Sequence, residues 1–233
     1  TLLNHQYIEI LHTVFNGRVS SSFDYPPQKG LRPVSFSDWY QKVKLLKKNG
    51  IKPYVVSVFW KGNERYFMDI YRFFESLELS FRLNCIIPAG RARDNFTDIS
   101  HTEGAYAEAL IEIGKLWFLS KTEIVVDPLM EVLEAFILGN SLAKCPFTSK
   151  CAIHFISVNP DGDVIPCGGF EEFHLTYGNI FTDEWQDIMN STNRREALKR
   201  VLFCPVTCKG CEWLYVCGGG CRLASLSYSG SMF

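Results

Sequence analysis

The feature that most constrains this chain is a dense group of cysteines near its C-terminal end. The sequence has 233 residues and nine cysteines, and one of these, Cys85, lies in the first half. The other eight follow the pattern C-x5-C-x15-C and, after a long gap, C-x3-C-x2-C-x5-C-x3-C; they are Cys145, Cys151, Cys167, Cys204, Cys208, Cys211, Cys217 and Cys221. Thiolates bind soft or borderline metals, and four of them hold a zinc ion or a cubane iron–sulfur cluster. The pattern therefore predicts metal or cluster ligation.

Composition and charge narrow the class of protein. In a small secreted protein these cysteines would indicate a disulfide framework. Here the first 140 residues read as an ordinary intracellular α/β domain and no signal peptide opens the sequence, so we expect a cytoplasmic protein whose cysteines bind metal. The net charge of −1 and the lack of a basic run argue against a nucleic-acid partner. The longest apolar stretches, such as Tyr54–Trp60, are too short to span a membrane.

Helices and strands alternate over residues 1–140. Apolar periodicity predicts helices over 1–16, 37–48, 64–77, 103–119 and 128–138, and strands over 19–25, 54–59 and 81–87. This alternation indicates parallel βαβ units, and three strands are too few for a complete barrel. The predicted fold class is therefore α/β, with either an incomplete TIM-type barrel or an open sheet over 1–140, followed by a small cysteine-rich domain over 141–233.

The C-terminal part has a different character, with frequent glycine and cysteine and few helices. His154–Val158 reads as a strand that enters a tight hairpin at Asn159-Pro160-Asp161-Gly162, and residues 182–201 read as one amphipathic helix. Three glycines between Cys217 and Cys221 remove side chains where the backbone must turn closely around a cluster.

Several motifs of this region agree with one known domain. They are Cys151-x10-Gly162-x4-Cys167, Cys208-x2-Cys211-x5-Cys217-x3-Cys221, Tyr177-Gly178-Asn179-Ile180 and Cys217-Gly218-Gly219-Gly220-Cys221-Arg222. Together, over roughly residues 145–221, they resemble the SPASM domain of radical S-adenosylmethionine (SAM) enzymes that modify peptides and proteins. The resemblance implies auxiliary 4Fe-4S clusters held by cysteine thiolates.

The first half resembles the later part of the partial barrel of the same enzymes. Residues 20–24 look like its fourth strand, residues 50–63 like its fifth strand and following loop, and residues 88–92 like the segment after its sixth strand. The resemblance implies that Ser22 and Asn63 contact SAM and that Arg91 faces the mouth of the barrel. A plain strand serine and ordinary loop capping explain these residues equally well.

The resemblance also implies how the cysteines divide. In sulfatase-maturase-like members four cysteines hold each auxiliary cluster. Carried over here, the first set is Cys145, Cys151, Cys167 and Cys221, and the second begins with Cys208, Cys211 and Cys217. The fourth ligand of the second cluster lies downstream of the last matching cysteine in those relatives, and this sequence has no cysteine there. Either the ligand lies beyond Phe233, or Cys204 substitutes for it, or one iron is open to another ligand.

The sequence contains one match to the motif of the SAM-binding cluster, and this match is by spacing alone. Cys204-x3-Cys208-x2-Cys211 matches the C-x3-C-x2-C signature by spacing, but that signature needs a whole barrel after it, and Gly210 stands where the family has an aromatic residue. We therefore expect that the chain starts midway through the barrel, with the third, SAM-binding 4Fe-4S cluster in a preceding segment.

The function implied is that of a radical SAM oxidoreductase that acts as a peptide or protein maturase. A 5′-deoxyadenosyl radical would abstract hydrogen from a peptide or protein substrate, the auxiliary clusters would transfer an electron or position the substrate, and flavodoxin or ferredoxin would donate electrons. In sulfatase maturases an aspartate base follows the third cysteine of the first set, whereas Gly168 stands here, so modification of a ribosomal peptide is favoured. No catalytic base is identified.

Two other functions stay open. The chain could be an iron–sulfur module for electron transfer or binding without radical chemistry of its own. It could also be an interaction domain stabilised by zinc, since C-x2-C with further cysteines is a zinc pattern as well.

Overall fold

A computed structural model describes residues 3–32, 34–139, 145, 148, 150–169, 173, 175–203 and 205–231. The chain forms two compact units, one of Thr1–Ile86 with Thr97–Met130 and one of Ile87–Phe96 with Glu131–Phe233. The domain boundary expected near residue 141 stays a prediction.

The first unit is built on a parallel sheet with strand order β1-β2-β3-β4. The strands are β1 (Ser20–Ser22), β2 (Tyr54–Phe59), β3 (Phe81–Cys85) and β4 (Val126–Asp127). Sequence analysis predicted three of them and missed β4, whose two residues are too few to show a periodic pattern.

Helices connect the strands in the order that parallel βαβ units require. They are α1 (His5–Thr13), α2 (Phe36–Lys48), α3 (Phe67–Ser76), α4 (Phe96–Ile99), α5 (Ala105–Leu119) and α6 (Leu129–Leu138). Phe96 of α4 and residues 131–138 of α6 belong to the second unit. The side chains of Asn4 and Ser35 accept hydrogen bonds from backbone N–H groups in the first turns of α1 and α2, and so cap these helices.

The core of this unit lies between the sheet and its helices. Val55 and Phe59 of β2 and Phe81 and Leu83 of β3 are fully buried and belong to one apolar cluster with residues of α3 and α5. Each such side chain contributes about 1.5–3 kcal/mol by its burial. Burial alternates along β2, so its other face, which starts with Tyr54, is only partly covered. One face of the sheet at β2 is therefore buried in the core, and the other is only partly covered.

The second unit contains a small antiparallel sheet of β5 (Ser157–Val158), β6 (Asp163–Ile165) and β7 (Gly178–Asn179). The Asn159 side chain accepts hydrogen bonds from the N–H groups of Asp161 and Asp163, at 3.0 and 2.9 Å, and closes the predicted hairpin. Gly162 has a φ of +89°, and a Cβ there would lie 2.4 Å from the Phe181 ring. The turn therefore requires glycine.

The helices of the second unit are short. They are α7 (Cys151–His154), α8 (Trp185–Met189), α9 (Thr192–Leu202), α10 (Leu214–Cys217) and α11 (Arg222–Ser229). The placement of His154 on a strand was wrong, because α7 is closed by a hydrogen bond from the Phe155 N–H to the Cys151 carbonyl. The single helix over 182–201 was also wrong, since Ser191 caps α9 and separates it from α8.

The second unit has a small apolar core of its own. It consists of Ala152, Val164, Tyr177, Ile188 and Ala197, so the hairpin, α7 and α9 share this core. Among the helices in the described ranges, none combines the length and the apolar character needed to cross a membrane.

Candidate iron–sulfur sites

Four cysteines of the second unit influence one another electrostatically. Cys151 begins α7, Cys167 follows β6, and Cys221 immediately precedes α11. A hydrogen bond from the Cys145 thiol lowers the pKa of Cys221 to about 6, with further lowering by the N–H groups at the start of α11. Burial raises the pKa of Cys167, as do the neighbouring thiolates of Cys221 and Cys151, whereas the Gly169 N–H lowers it. These four thiols therefore lie in one electrostatic neighbourhood.

Three other cysteines form a second neighbourhood. Cys208 ends a short helical turn, the Cys211 N–H donates to the Cys208 carbonyl at 3.2 Å, and Cys217 ends α10. Burial raises the pKa of Cys217 and the nearby Cys208 and Cys211 add to that rise, while the N–H groups of Gly219 and Gly220 lower it.

The backbone after Cys217 turns in a way that favours glycine. Gly218, Gly219 and Gly220 have φ values of +63°, +83° and +74°. The left-handed conformation at three successive residues aims two N–H groups at the Cys217 sulfur. The predicted role of this glycine run, a close turn around the thiols, agrees with these angles.

The donor chemistry fits iron–sulfur clusters. N–H groups of Gly169, Gly219 and Gly220 lower the pKa of Cys167 and Cys217, and hydrogen bonds to sulfur are one of the means by which proteins set the potential of a cluster. Among the described residues, no three His, Cys, Asp or Glu side chains converge on a position for a single metal ion. A zinc site needs its sulfurs about 2.3 Å from one ion. A cubane instead binds each thiolate at a different iron and spreads the sulfurs apart. The ligand assignment itself stays a prediction.

An arginine and a tyrosine lie beside the first group of cysteines. Arg222 is 2% exposed; its Nη2 donates to the Cys151 Sγ at 2.7 Å and its Nη1 to the Ala197 carbonyl at 2.6 Å. Burial raises the pKa of Tyr177 to about 12, opposed by Arg222 and Arg194. Both residues stand in stretches quoted for the resemblance, but nothing in the sequence pattern assigned them a role, because the contact of Arg222 with Cys151 and the proximity of Tyr177 to the thiols arise only in the folded chain.

Some predicted positions lie outside the described residues. Cys204, the suggested substitute ligand of the second cluster, is one of them. Its role stays a prediction.

The two residues predicted to contact SAM lie at the carboxyl ends of strands in the first unit. Ser22 is exposed at the end of β1. Asn63 is fully buried: its Oδ1 accepts from the Trp60 N–H at 2.9 Å, and its Nδ2 donates to the carbonyls of Val58, at 2.8 Å, and Tyr25, at 3.3 Å. The Asn63 amide is thus used to shape the loop after β2. SAM contact stays a prediction for both residues.

Sequence analysis missed an ion pair at the same edge of the sheet. Asp24 is 4% exposed, forms a bidentate pair with the guanidinium of Arg32, and accepts from the Val58 N–H at 2.9 Å. An aspartate two residues after a strand could have signalled it, since the carboxyl ends of parallel strands carry the sites of such barrels.

Cys85 stands apart from the other thiols. It ends β3, is half-buried, and lies 2.8 Å from the Nε2 of His101, whose Nδ1 lies 2.8 Å from the Thr102 carbonyl. Burial raises the pKa of Cys85 to about 11. The thiol therefore stays protonated at neutral pH.

One protein-family model matches part of the second unit. Residues 150–212 match SPASM, an iron–sulfur cluster-binding domain. The match covers the hairpin, Cys151, Cys167, Cys208 and Cys211.

Similarity to curated proteins extends over most of the chain. A cysteine-type anaerobic sulfatase-maturating enzyme of Clostridium perfringens (strain 13 / Type A) is 26% identical over 193 residues, which are 81% of this chain and 51% of that protein. A serine-type enzyme of Bacteroides thetaiotaomicron is 23% identical over 85% of this chain and 51% of its own length. A PqqA peptide cyclase of Xanthomonas euvesicatoria pv. vesicatoria is 31% identical over 33% of this chain and 21% of its own. The chain spans about half the length of the sulfatase-maturating relatives.

Solved structures agree on the fold. Native anSMEcpe with bound AdoMet and Kp18Cys peptide superposes with a TM-score of 0.79 at 22% identity, over 100% of this chain and 66% of that one. Streptococcus suis SuiB bound to S-adenosylmethionine gives 0.62 at 13% identity, over 98% and 55%. The predicted fold class, an incomplete α/β barrel followed by a SPASM domain, is confirmed, and the chain is similar to sulfatase-maturating enzymes.

Proposed function

We propose that this chain, with its SPASM domain behind part of a radical SAM barrel, is the auxiliary-cluster part of a peptide or protein maturase. The observation that carries the proposal is the coupled group of Cys145, Cys151, Cys167 and Cys221, which supplies four thiols to one neighbourhood. Similarity to sulfatase-maturating enzymes and to PqqA peptide cyclase supports the same reaction class.

The residues of this chain would divide the work in the following way. The first four thiolates would hold one auxiliary 4Fe-4S cluster, and Cys208, Cys211 and Cys217 would hold a second through three of its irons. When bound, such a cluster supplies one-electron transfer. Glycine N–H groups beside Cys167 and Cys217 stabilise negative charge on sulfur and thereby tune that transfer.

The first unit would shape the mouth of the barrel, where SAM would bind. This unit would hold the segments after β1 and β2 in fixed positions, because the Asp24–Arg32 pair and the Asn63 amide connect them by hydrogen bonds. Fixed loops at the carboxyl ends of strands hold a cosubstrate in a defined orientation. Ser22, exposed at the same edge, is the proposed polar contact.

The proposed substrate is a ribosomal peptide and not a sulfatase. Structures of relatives with bound peptides, such as SuiB bound to precursor peptide SuiA, support a peptide substrate. Gly168 occupies the position where, by the family resemblance, sulfatase maturases carry an aspartate base. Formylglycine formed on a sulfatase peptide by the full-length protein in an anaerobic assay would contradict this proposal. A flavodoxin or ferredoxin is the proposed electron donor.

The test of the function is metal analysis of the full-length protein purified without oxygen. Iron and acid-labile sulfide in equal amounts are expected, with a Mössbauer spectrum of 4Fe-4S clusters. Zinc without sulfide would instead support a zinc-stabilised interaction domain. Clusters without cleavage of SAM under reducing conditions would support an electron-transfer module.

A further inference from the structure

Arg222 carries a buried positive charge for which the described residues offer no carboxylate partner. Its side chain is 2% exposed, and its two recorded hydrogen bonds go to the neutral Ala197 carbonyl and to the Cys151 sulfur. The Nε has no partner among the described residues. A guanidinium stays charged in proteins, and burial of an uncompensated charge is costly. This arginine therefore needs an anion in its surroundings.

Among the residues that the structure describes, Arg222 has a possible anionic partner only on its thiol side. Helix α9 presents a backbone carbonyl to Nη1, whereas Nη2 lies 2.7 Å from the Sγ of Cys151. That thiol belongs to the first group, together with Cys167 and Cys221. A cubane with four thiolate ligands is negatively charged overall, so it meets the charge requirement of the guanidinium.

A second buried polar group without a hydrogen-bond partner in the described part of the chain, the Tyr177 hydroxyl, is influenced electrostatically by the same thiols. Tyr177 is 3% exposed, and its hydroxyl has no hydrogen-bond partner among the described residues. Cys151 and Cys167 are among the groups that act on it electrostatically. A buried hydroxyl without a partner costs about 1–3 kcal/mol. A cluster sulfur would provide the missing acceptor.

The geometry points to Arg222 and Tyr177 as positioning residues that supply positive charge and a hydrogen bond to the first auxiliary cluster and raise its reduction potential. Reduction adds one electron, so the cation and the donor stabilise the reduced form more than the oxidised form. This inference rests on the proposed function, since it needs a cluster on these thiols.

The test is a potentiometric titration of the anaerobically prepared full-length protein, followed by electron paramagnetic resonance. Arg222→Gln is expected to lower the potential of the first cluster by about 59 mV, a tenfold loss in the one-electron reduction equilibrium constant. Arg222→Lys should recover part of that shift because it keeps the charge. Tyr177→Phe, which removes only the hydroxyl, should lower the potential by a smaller amount.

A control variant separates this effect from a general change in charge. Arg195 lies on α9, the helix whose Ala197 carbonyl accepts a hydrogen bond from Arg222, and is exposed. Arg195→Gln removes the same charge from the surface, where water and salt screen it, and should leave the potential unchanged.

The outcomes distinguish the inference from the proposed function. Clusters present with an unchanged potential in both Arg222→Gln and Tyr177→Phe would overturn the inference and leave the proposed function intact. Zinc without sulfide in the wild-type protein would overturn both. If Arg222→Gln loses the first cluster on purification, Tyr177→Phe decides: a lowered potential supports the inference and an unchanged one overturns it.

Discussion

Gly169 lies directly against Leu223, so that a Cβ at this glycine would stand 2.1 Å from the Leu223 Cδ2. The contact joins the segment after Cys167 to α11, the helix that starts after Cys221. It brings two predicted ligands of the first cluster, Cys167 and Cys221, together through packing, although their thiolate charges repel each other. Because Leu223 is buried, it has little room to move away.

Substitution at this contact should weaken the first site. We expect Gly169→Ala to lower the free energy of unfolding by about 1–3 kcal/mol through overpacking and to reduce the iron content. Gly168→Ala is the matched control, because a Cβ at Gly168 meets no heavy atom within 4 Å. The two variants are compared by denaturant unfolding and iron assay. Equal stability and equal iron in both would contradict the packing role of Gly169.

Asn63 offers a test of the barrel edge. Its amide satisfies the Trp60 N–H and the carbonyls of Val58 and Tyr25 while fully buried. Asn63→Ala leaves these groups unsatisfied and should cost about 1–3 kcal/mol of unfolding free energy. Asn95→Ala, at an exposed asparagine, should cost nothing measurable. Denaturant unfolding that finds Asn63→Ala as stable as the control would refute this structural role.

The reactivity of Cys85 should depend steeply on pH. Burial raises its pKa from 9.0 to about 11, and only the thiolate reacts with iodoacetamide. Labelling of Cys85 in the native protein, followed by peptide mass mapping, should be slow at pH 8 and rise until the pH passes about 11.

The same shift affects stability. Because the folded-state pKa lies above that of the unfolded chain, the contribution of this thiol is complete below pH 9 and is lost as the pH rises through about 11. The matched variant is Cys85→Ser. Because it lacks the thiol, its free energy of unfolding should not show this decline between pH 9 and about 11. Labelling at pH 8 at the rate of an exposed thiol would contradict the raised pKa.

Some helices and strands could be predicted from the sequence and others could not. β2 was predicted with the bounds that it has, because its apolar run is continuous and flanked by turn residues. The strand β4 and the helical turn at His154 were not, since two residues and a single turn carry no periodicity. The break between α8 and α9 depends on the Ser191 cap, which competes with a continuous apolar face.

The candidate site, too, could be predicted from the sequence only in part. The two cysteine groups came from the family resemblance, because spacing alone cannot tell which thiols meet in space. The proximity of Arg222 to Cys151, 71 residues apart in sequence, depends on the packing of α11 against α9. The loop role of Asn63 likewise needs the segment after β1, which only the folded sheet brings to it.

The central claim is that the cysteines form two separate cluster sites. It is tested most directly by iron and sulfide counts, with Mössbauer spectra, on full-length wild-type protein, Cys151→Ala, Cys217→Ala and the double variant. Each single variant is predicted to lose about four irons and four sulfides, one 4Fe-4S cluster, and the double variant twice that number. A double variant that loses no more iron than either single variant, or wild-type protein that contains zinc and no sulfide, would contradict the claim.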